Sequence, residues 1–192
     1  MTAGHITVET VGSERAASHL GELRALYTEV YAEPPYEWGD EHAALFAERF
    51  HAQSRQDGFT LAEARHGHDL AGIAFGMAIK PVAGTSGAWQ NLTSTLPADV
   101  TAEWPGRTFF IVELLVRSPW RRQHIAQAMH DLLLKDRPEE RAMLTALPAA
   151  EPAQAAYRKW GWRKVAQKRN PLPGSPLFDV LLKQLSHPGI PS

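Results

Sequence analysis

The chain contains no cysteine, and this absence excludes several kinds of chemistry. Without cysteine there is no disulfide, no thiolate nucleophile and no zinc site built on thiolate ligands. Long apolar runs are also absent, so nothing in the sequence reaches the length of about 20 residues that a membrane-spanning helix needs. The first residues lack the basic and apolar regions of a signal peptide. We therefore expect a cytoplasmic protein without a membrane partner.

A strong charge of either sign is missing as well. The chain has 20 Lys and Arg residues against 21 Asp and Glu residues, which gives a formal net charge of −1. Proteins that bind nucleic acid usually carry a basic excess, so we predict no nucleic-acid partner. The 192 residues are 44% hydrophobic, which is enough for one substantial core. We therefore predict a single domain over residues 1–192, with residues 186–192 as a flexible tail.

The stretch 109–135 is the most informative part of the sequence. Residues 109–116 form an apolar run interrupted only by Glu113, a pattern typical of a strand buried on both faces. The basic turn 121–124 then leads into a helical pattern with one apolar face. The unit is therefore a strand, a basic turn and a helix. Backbone N–H groups at a helix N-terminus, flanked by arginines, suit a phosphate or a pyrophosphate.

The remaining periodicity predicts helices and strands on both sides of this unit. One long helix runs from Ser13 to Val30, and a second starts near Asp40 with Ala44, Leu45, Ala47 and Phe50 on its apolar face. The predicted strands are 5–11, 59–64, 70–79, 141–147, 163–168 and 177–185, and a short helix spans 153–160. Gly72 and Gly76 inside a predicted strand indicate a close backbone approach or a bulge.

Residues 81–107 form a long irregular stretch that contains Trp89 and Trp104. A loop of this length in a compact domain is usually functional or disordered, and two tryptophans favour an ordered loop. Two interpretations remain open. The loop is either one wall of a binding pocket, with Trp89 against the substrate, or an insertion packed on the surface.

Two segments resemble motifs of the GNAT acetyltransferase superfamily, and the resemblance covers most of the chain. One is Leu114-Leu115-Val116 followed by Arg121-Arg122-Gln123-His124-Ile125-Ala126, which resembles the acyl-CoA pyrophosphate loop Arg/Gln-x-x-Gly-x-Gly/Ala. The other is residues 151–162, which resemble the element Asn-x-x-Ala-x-x-x-Tyr-x-x-x-Gly-Phe. The two occur in the right order, separated by a strand. His124 stands where the family usually has glycine, and Glu151 stands where it often has asparagine.

The resemblance implies an α/β (α+β) fold, with a mixed central sheet of about six or seven strands flanked by about four helices. It also implies acetyl-CoA as the cosubstrate, with no metal. His66 and His68 share a polar turn without a third ligand, so they do not predict a metal site either. The residues expected to hold acetyl-CoA are Leu115, Val116, Arg121, Arg122, Gln123, His124, Ile125 and Ala126.

Two side chains are candidates for proton transfer. Glu113 is a lone carboxylate in an apolar strand, where burial raises the pKa and suits a general base; the alternative is an ion pair with Arg117. The resemblance implies that Tyr157 protonates the leaving thiolate; the alternative is a packed core tyrosine. Tyr31 and Trp38, together with Trp89, are the candidates for acceptor binding, and they too can simply belong to the core.

The predicted function is transfer of an acetyl group from acetyl-CoA to a primary amine of a small molecule. One alternative is an acyl-CoA-binding protein without turnover, in which His124 has replaced the glycine. Another is acetylation of a protein or peptide amine. A local acidic rim of Glu33, Glu37, Asp40 and Glu41 would suit a cationic acceptor. The family resemblance also leaves a homodimer open.

Overall fold

The computed structural model describes residues 5–84, 86–170 and 174–186. Within them lie seven strands: β1 (Ile6–Val11), β2 (Thr60–His66), β3 (Asp69–Ala78), β4 (Thr108–Val116), β5 (Arg141–Ala146), β6 (Arg163–Arg169) and β7 (Leu177–Gln184). The same residues form six α-helices: α1 (Ser13–Ser18), α2 (Leu20–Tyr31), α3 (Asp40–Gln53), α4 (Ala98–Thr101), α5 (Ile125–Leu134) and α6 (Glu151–Lys159). Short 3₁₀ turns span Gly87–Trp89 and Ser118–Trp120.

The strands form one mixed sheet in the order β1-β2-β3-β4-β5-β7-β6. β4 and β5 are parallel, whereas β1 with β2, β2 with β3, β5 with β7 and β6 with β7 are antiparallel. The predicted mixed α/β fold is confirmed. None of the described helices combines the length and the apolar composition that crossing a bilayer would need.

The chain forms two compact units, Met1–Met77 with Ile111–Lys135 and Ala78–Phe110 with Asp136–Ser192. The single domain over residues 1–192 stays a prediction, and residues 187–192 of the predicted tail lie outside the described residues. In the first unit, α2 buries one helical face made of Leu23, Leu26, Tyr27 and Val30. Because these residues recur at helical spacing, α2 packs on a core that also contains Phe46, Phe50, Ile73 and Phe75.

Two helix predictions in the first unit are wrong in detail. The long helix predicted from Ser13 breaks at His19, whose backbone (φ −95°, ψ 9°) leaves the helical region while its Nδ1 lies 3.3 Å from the buried carboxylate of Glu63. The apolar face of α3 is Ala43, Phe46 and Phe50, whereas Ala44 is exposed. Every residue from 43 to 47 is apolar, so the sequence pattern alone does not decide which of them face the core.

The predicted close backbone approach occurs at Gly72 in β3. A Cβ atom there would lie 2.7 Å from the backbone oxygen of Leu115 in β4, closer than a real Cβ contact. The predicted bulge lies in the same strand, because the pairing with β2 steps from Ala64–Gly72 to Arg65–Leu70 and skips Ala71 of β3. β4 was predicted to be buried on both faces. Instead, buried and half-buried residues alternate along it, so one face is more buried than the other. Glu113 and Leu115 lie on the buried face.

In the second unit, the irregular stretch 81–107 is ordered by a buried polar network. Oε1 of Glu103 accepts hydrogen bonds from Trp89 Nε1 (2.7 Å), Thr108 Oγ1 (2.9 Å) and Arg141 Nη2 (2.9 Å). Trp89 is buried against a core that includes Met143. Trp104, in contrast, is 43% exposed. This packing gives Trp89 a structural role, and its contact with a substrate stays a prediction.

The same stretch also pairs with the sheet. Leu92 forms an antiparallel bridge to Lys168 in β6, the strand at one end of the sheet order. Two backbone hydrogen bonds flank this bridge, from Thr93 N to Gln167 O (2.9 Å) and from Arg169 N to Asn91 O (3.2 Å). The insertion is therefore tied to the outer side of β6.

Candidate active site

Glu113 lies in the middle of β4, with 9% of its surface exposed. Its Oε2 accepts a hydrogen bond of 2.6 Å from the hydroxyl group of Tyr31, the last residue of α2. The alternative pairing with Arg117 is wrong, because Arg117 Nε lies 2.9 Å from Glu29 Oε2 and Arg117 Nη1 donates to Leu70 O. Glu113 is therefore a buried carboxylate whose hydrogen-bond donor is a phenol.

Burial raises the pKa of Glu113 to about 7, while the hydrogen bond from Tyr31 and the charge of Arg49 act in the opposite direction. A carboxyl group with this pKa exchanges its proton near neutral pH, which is the property required of a general base. Burial and the adjacent Glu113 charge raise the pKa of Tyr31 well above its ordinary value. Tyr31 consequently keeps its proton and remains a donor to Glu113.

Tyr31 belongs to a group of four aromatic rings, and we call Tyr31, Tyr36, Trp38 and His42 the aromatic cluster. The Tyr31 ring stacks on Trp38 at 4.5 Å and meets Tyr36 edge-on at 4.6 Å, measured between centroids. The His42 ring stacks on Trp38, with 4.9 Å between the ring centroids. A backbone hydrogen bond of 2.8 Å from Trp38 N to Tyr31 O fixes the turn. The structure thus brings the predicted Tyr31 and Trp38 together with Glu113.

The loop between β4 and α5 contains two residues in the left-handed region, Arg122 (φ 61°) and His124 (φ 60°). Glycine is the usual residue in this region, but histidine is among the side chains that adopt it more readily than most. α5 begins directly afterwards, at Ile125. Its first N–H groups have no acceptor within the helix and carry the positive end of the helix dipole. The loop is therefore compatible with an anionic group.

The remaining predicted cofactor residues differ in their surroundings. Arg121 is engaged within the protein, because its Nη1 lies 2.5 Å from Glu33 Oε2 and its Nε donates to Val116 O at 2.9 Å. Arg122 is exposed, and Gln123 Nε2 donates to Pro119 O at 3.2 Å. Leu115 and Ile125 are buried, whereas Val116 and Ala126 are half-buried. The contacts of these eight residues with acetyl-CoA stay predictions.

Tyr157 lies on α6 in the second unit and is 8% exposed. Its ring centroid is 5.8 Å from that of Trp160 and 6.1 Å from that of Trp162. Its role as the acid that protonates the leaving thiolate stays a prediction.

Sequence reasoning missed two acidic partners, one in α2 and one in the turn that follows it. Glu29 in α2 and Glu33 just after it are four residues apart, and Arg117 and Arg121 have the same spacing after β4. That matched spacing was the available signal. It also revises the predicted acidic rim, because the charge of Glu33 is already paired with Arg121. Among the described residues, no three His, Asp or Glu side chains are grouped so as to hold a metal ion.

Comparison with known proteins gives a consistent result. The profile of the acetyltransferase (GNAT) family matches residues 23–162. No curated protein matches the chain. Among solved structures, an acetyltransferase of the GNAT family from Staphylococcus aureus is 14% identical with a TM-score of 0.64, covering 95% of this chain and 100% of that one.

Two further solved structures are similar over nearly the whole chain. The ribosomal-protein-S18-alanine N-acetyltransferase from Escherichia coli is 15% identical, with a TM-score of 0.61 and coverage of 96% and 97%. Arabidopsis thaliana Naa50, in complex with the bisubstrate analogue CoA-Ac-MVNAL, is 15% identical, with a TM-score of 0.56 and coverage of 93% and 98%. At these identities the likeness shows the fold.

Proposed function

Since the chain belongs to the acetyltransferase (GNAT) family of acyltransferases, whose members use acetyl-CoA, we propose that it acetylates a primary amine of a small molecule. The observation that carries this proposal is the buried Glu113 carboxyl group, with a pKa of about 7 and Tyr31 as its donor. It is a base tuned for the neutral range, and it lies beside a cluster of aromatic rings. The sheet and the helices of the family fold hold Glu113 and Tyr31 in position.

An amine is protonated near neutral pH and must lose a proton before it can attack a carbonyl carbon. Glu113 accepts this proton, directly or through a water molecule, at Oε1, the carboxylate oxygen that does not take part in the hydrogen bond from Tyr31. Tyr31 holds Oε2 in place and stabilises the ionised form of the base. The aromatic cluster attracts the ammonium group through its ring faces and excludes water around it. These contacts orient the acceptor before it reacts.

When bound, acetyl-CoA supplies the acetyl group as an activated thioester. We infer that the backbone groups of Leu115 and Val116 pair with the pantetheine arm as an added strand does. The N–H groups of Gln123, Ile125 and Ala126 face the pyrophosphate, with the exposed Arg122 beside it. Tyr157 Oη donates a proton to the departing sulfur as one C–N bond replaces one C–S bond, and the second proton lost by the attacking nitrogen returns to Tyr157 through water.

The first experiment is a calorimetric titration of the wild type and His124→Gly with acetyl-CoA, followed by thiol release with a panel of small amines and peptides. We expect saturable binding by both proteins and thiol release with small amines. Release with peptides alone would make the protein a peptide acetyltransferase. Binding by His124→Gly alone would favour the non-catalytic protein. If neither protein binds, the proposed function is wrong.

Glu113→Gln is the matched test of the base. We expect this variant to bind acetyl-CoA as the wild type does but to release thiol far more slowly, by the factor of about 10² to 10⁴ typical of general-base catalysis. Full activity of Glu113→Gln would exclude Glu113 as the base. The cytoplasmic location and a homodimer stay predictions, to be checked by fractionation and by light scattering.

A further inference from the structure

Two ion pairs connect α2 and the turn that follows it with the segment after β4. Arg117 Nε lies 2.9 Å from Glu29 Oε2, and Arg121 Nη1 lies 2.5 Å from Glu33 Oε2. The two pairs are four residues apart on both segments and have the same polarity, but their surroundings differ. The Arg117 side chain is 21% exposed and also donates to Leu70 O, whereas the Arg121 and Glu33 side chains are 39% and 34% exposed. Although Glu29 is 48% exposed, Arg121 is the more accessible of the two arginines to a dissolved anion.

Arg121 directly precedes the left-handed residues Arg122 and His124, at the loop that the proposed function gives to the pyrophosphate. A guanidinium has five N–H donors, and the two contacts with Val116 O and Glu33 Oε2 leave several of its donors for another acceptor. Glu33 is the anion that Arg121 holds in this structure. An arginine binds a phosphate group in the same planar geometry that it uses for a carboxylate.

Glu33 also belongs to the turn that carries the aromatic cluster. Its carbonyl oxygen accepts hydrogen bonds from Tyr36 N (3.1 Å) and Glu37 N (3.3 Å). Trp38 N donates to Tyr31 O on the other side of the same turn. The side chain of Glu33 is therefore fixed to one loop, and its backbone is fixed to the residues that surround Tyr31.

We propose that the Glu33 carboxylate competes with a phosphate group of the ligand for Arg121, so that filling the pyrophosphate loop repositions the turn that carries Tyr36 and Trp38. This inference rests on the proposed function. A half-exposed ion pair is weak, so its exchange for a phosphate contact costs little. Coupling of this kind is reciprocal, and an acceptor bound to the aromatic cluster therefore changes the affinity for acyl-CoA by the same factor.

The test compares Glu33→Gln with Glu29→Gln, which removes the same charge from the other ion pair. Calorimetry with CoA and with inorganic pyrophosphate measures the affinities, and thermal unfolding shows that both variants fold. Glu33→Gln frees Arg121, so we expect it to bind CoA about fivefold more tightly than the wild type, which is about 1 kcal/mol. Glu29→Gln is expected to match the wild type. Arg121→Ala weakens binding and removes the gain when combined with Glu33→Gln.

A second readout follows the turn itself. In protein labelled with fluorotryptophan, the ¹⁹F resonance of Trp38, assigned with Trp38→Phe, shifts when CoA is added to the wild type. In ligand-free Glu33→Gln we expect this resonance to lie already nearer its CoA-bound position, while that of Trp104 in the second unit stays unchanged. A purely structural ion pair would not produce this shift.

Three results would overturn the inference. Glu33→Gln binding CoA no more tightly than the wild type would show that Glu33 does not compete for Arg121. An equal gain in CoA affinity in Glu29→Gln would show that the effect comes only from the change in net charge. An unchanged Trp38 resonance would remove the coupling to the turn. If the wild type fails to bind CoA, the proposed function falls together with this inference, whereas normal binding with equal affinities refutes the inference alone.

Discussion

Replacing Glu113 with glutamine should change how the stability of the protein depends on pH. The carboxyl group has an ordinary pKa of 4.5 in the unfolded chain and about 7 in the folded protein, because burial disfavours its charged form. Between these two values the folded protein retains a proton that the unfolded chain has released. The free energy of unfolding therefore falls as pH rises through this window, and it stops falling above pH of about 7.

The size of this fall follows from the same two pKa values. Each pH unit between them changes the free energy of unfolding by about 1.4 kcal/mol. The window from 4.5 to about 7 therefore corresponds to a loss of about 3 kcal/mol in the wild type. Glu113→Gln has no such ionisation, so its stability relative to the wild type should rise by about 3 kcal/mol across this range. Below pH 4.5 the difference between the two proteins should be constant.

Urea denaturation at closely spaced pH values between 4 and 8, followed by tryptophan fluorescence and circular dichroism, measures this difference. Tyr31→Phe is the matched control, because it removes the hydrogen bond that lowers the pKa of Glu113 and should extend the falling limb to higher pH. In the enzyme assay, kcat/KM should rise through pH of about 7 in the wild type, and this limb should be absent in Glu113→Gln. A pH-independent difference in stability would refute the buried base.

Two further substitutions test the packing of each unit, both by chemical denaturation. Gly72→Ala places a Cβ atom 2.7 Å from the Leu115 oxygen and should destabilise the protein by about 1–3 kcal/mol, whereas Gly21→Ala, in open space, should not; equal effects would contradict the close approach. Glu103→Ala leaves the Arg141 guanidinium, 3% exposed, without its carboxylate and should cost about 3–5 kcal/mol; a loss under about 1 kcal/mol would mean that the network is dispensable.

Local patterns were sufficient to predict most of the fold. β4 was predicted within one residue because a continuous apolar run between turn residues has few alternative conformations. The predicted end of α2 before Pro34 holds, and α5 begins where the basic turn ends. The break at His19 was not predictable, because the partner of that side chain, Glu63, lies 44 residues away in the sequence. Helical periodicity carries no information about such a contact.

The candidate site was likewise predicted only in part from the sequence. Glu113 stood out as a carboxylate in an apolar strand, and its raised pKa follows from burial alone. Its donor, Tyr31, lies 82 residues away, so the hydrogen bond between them depends on how α2 packs on the sheet. Arg121 was expected to be available to a ligand, but a single sequence does not show that Glu33 holds it. Residue type predicted the chemistry, and tertiary packing decided the partners.

The bridge between Leu92 and Lys168 bears on how this protein can be shortened or engineered. A strand at the end of a sheet offers unpaired N–H and C=O groups to any other extended chain, which is a common route to aggregation. Residues 91–93 occupy part of that side of β6 with their own backbone hydrogen bonds. Trimming the insertion to obtain a smaller enzyme would uncover a strand edge, and we would expect poorer solubility even if the remaining fold were intact.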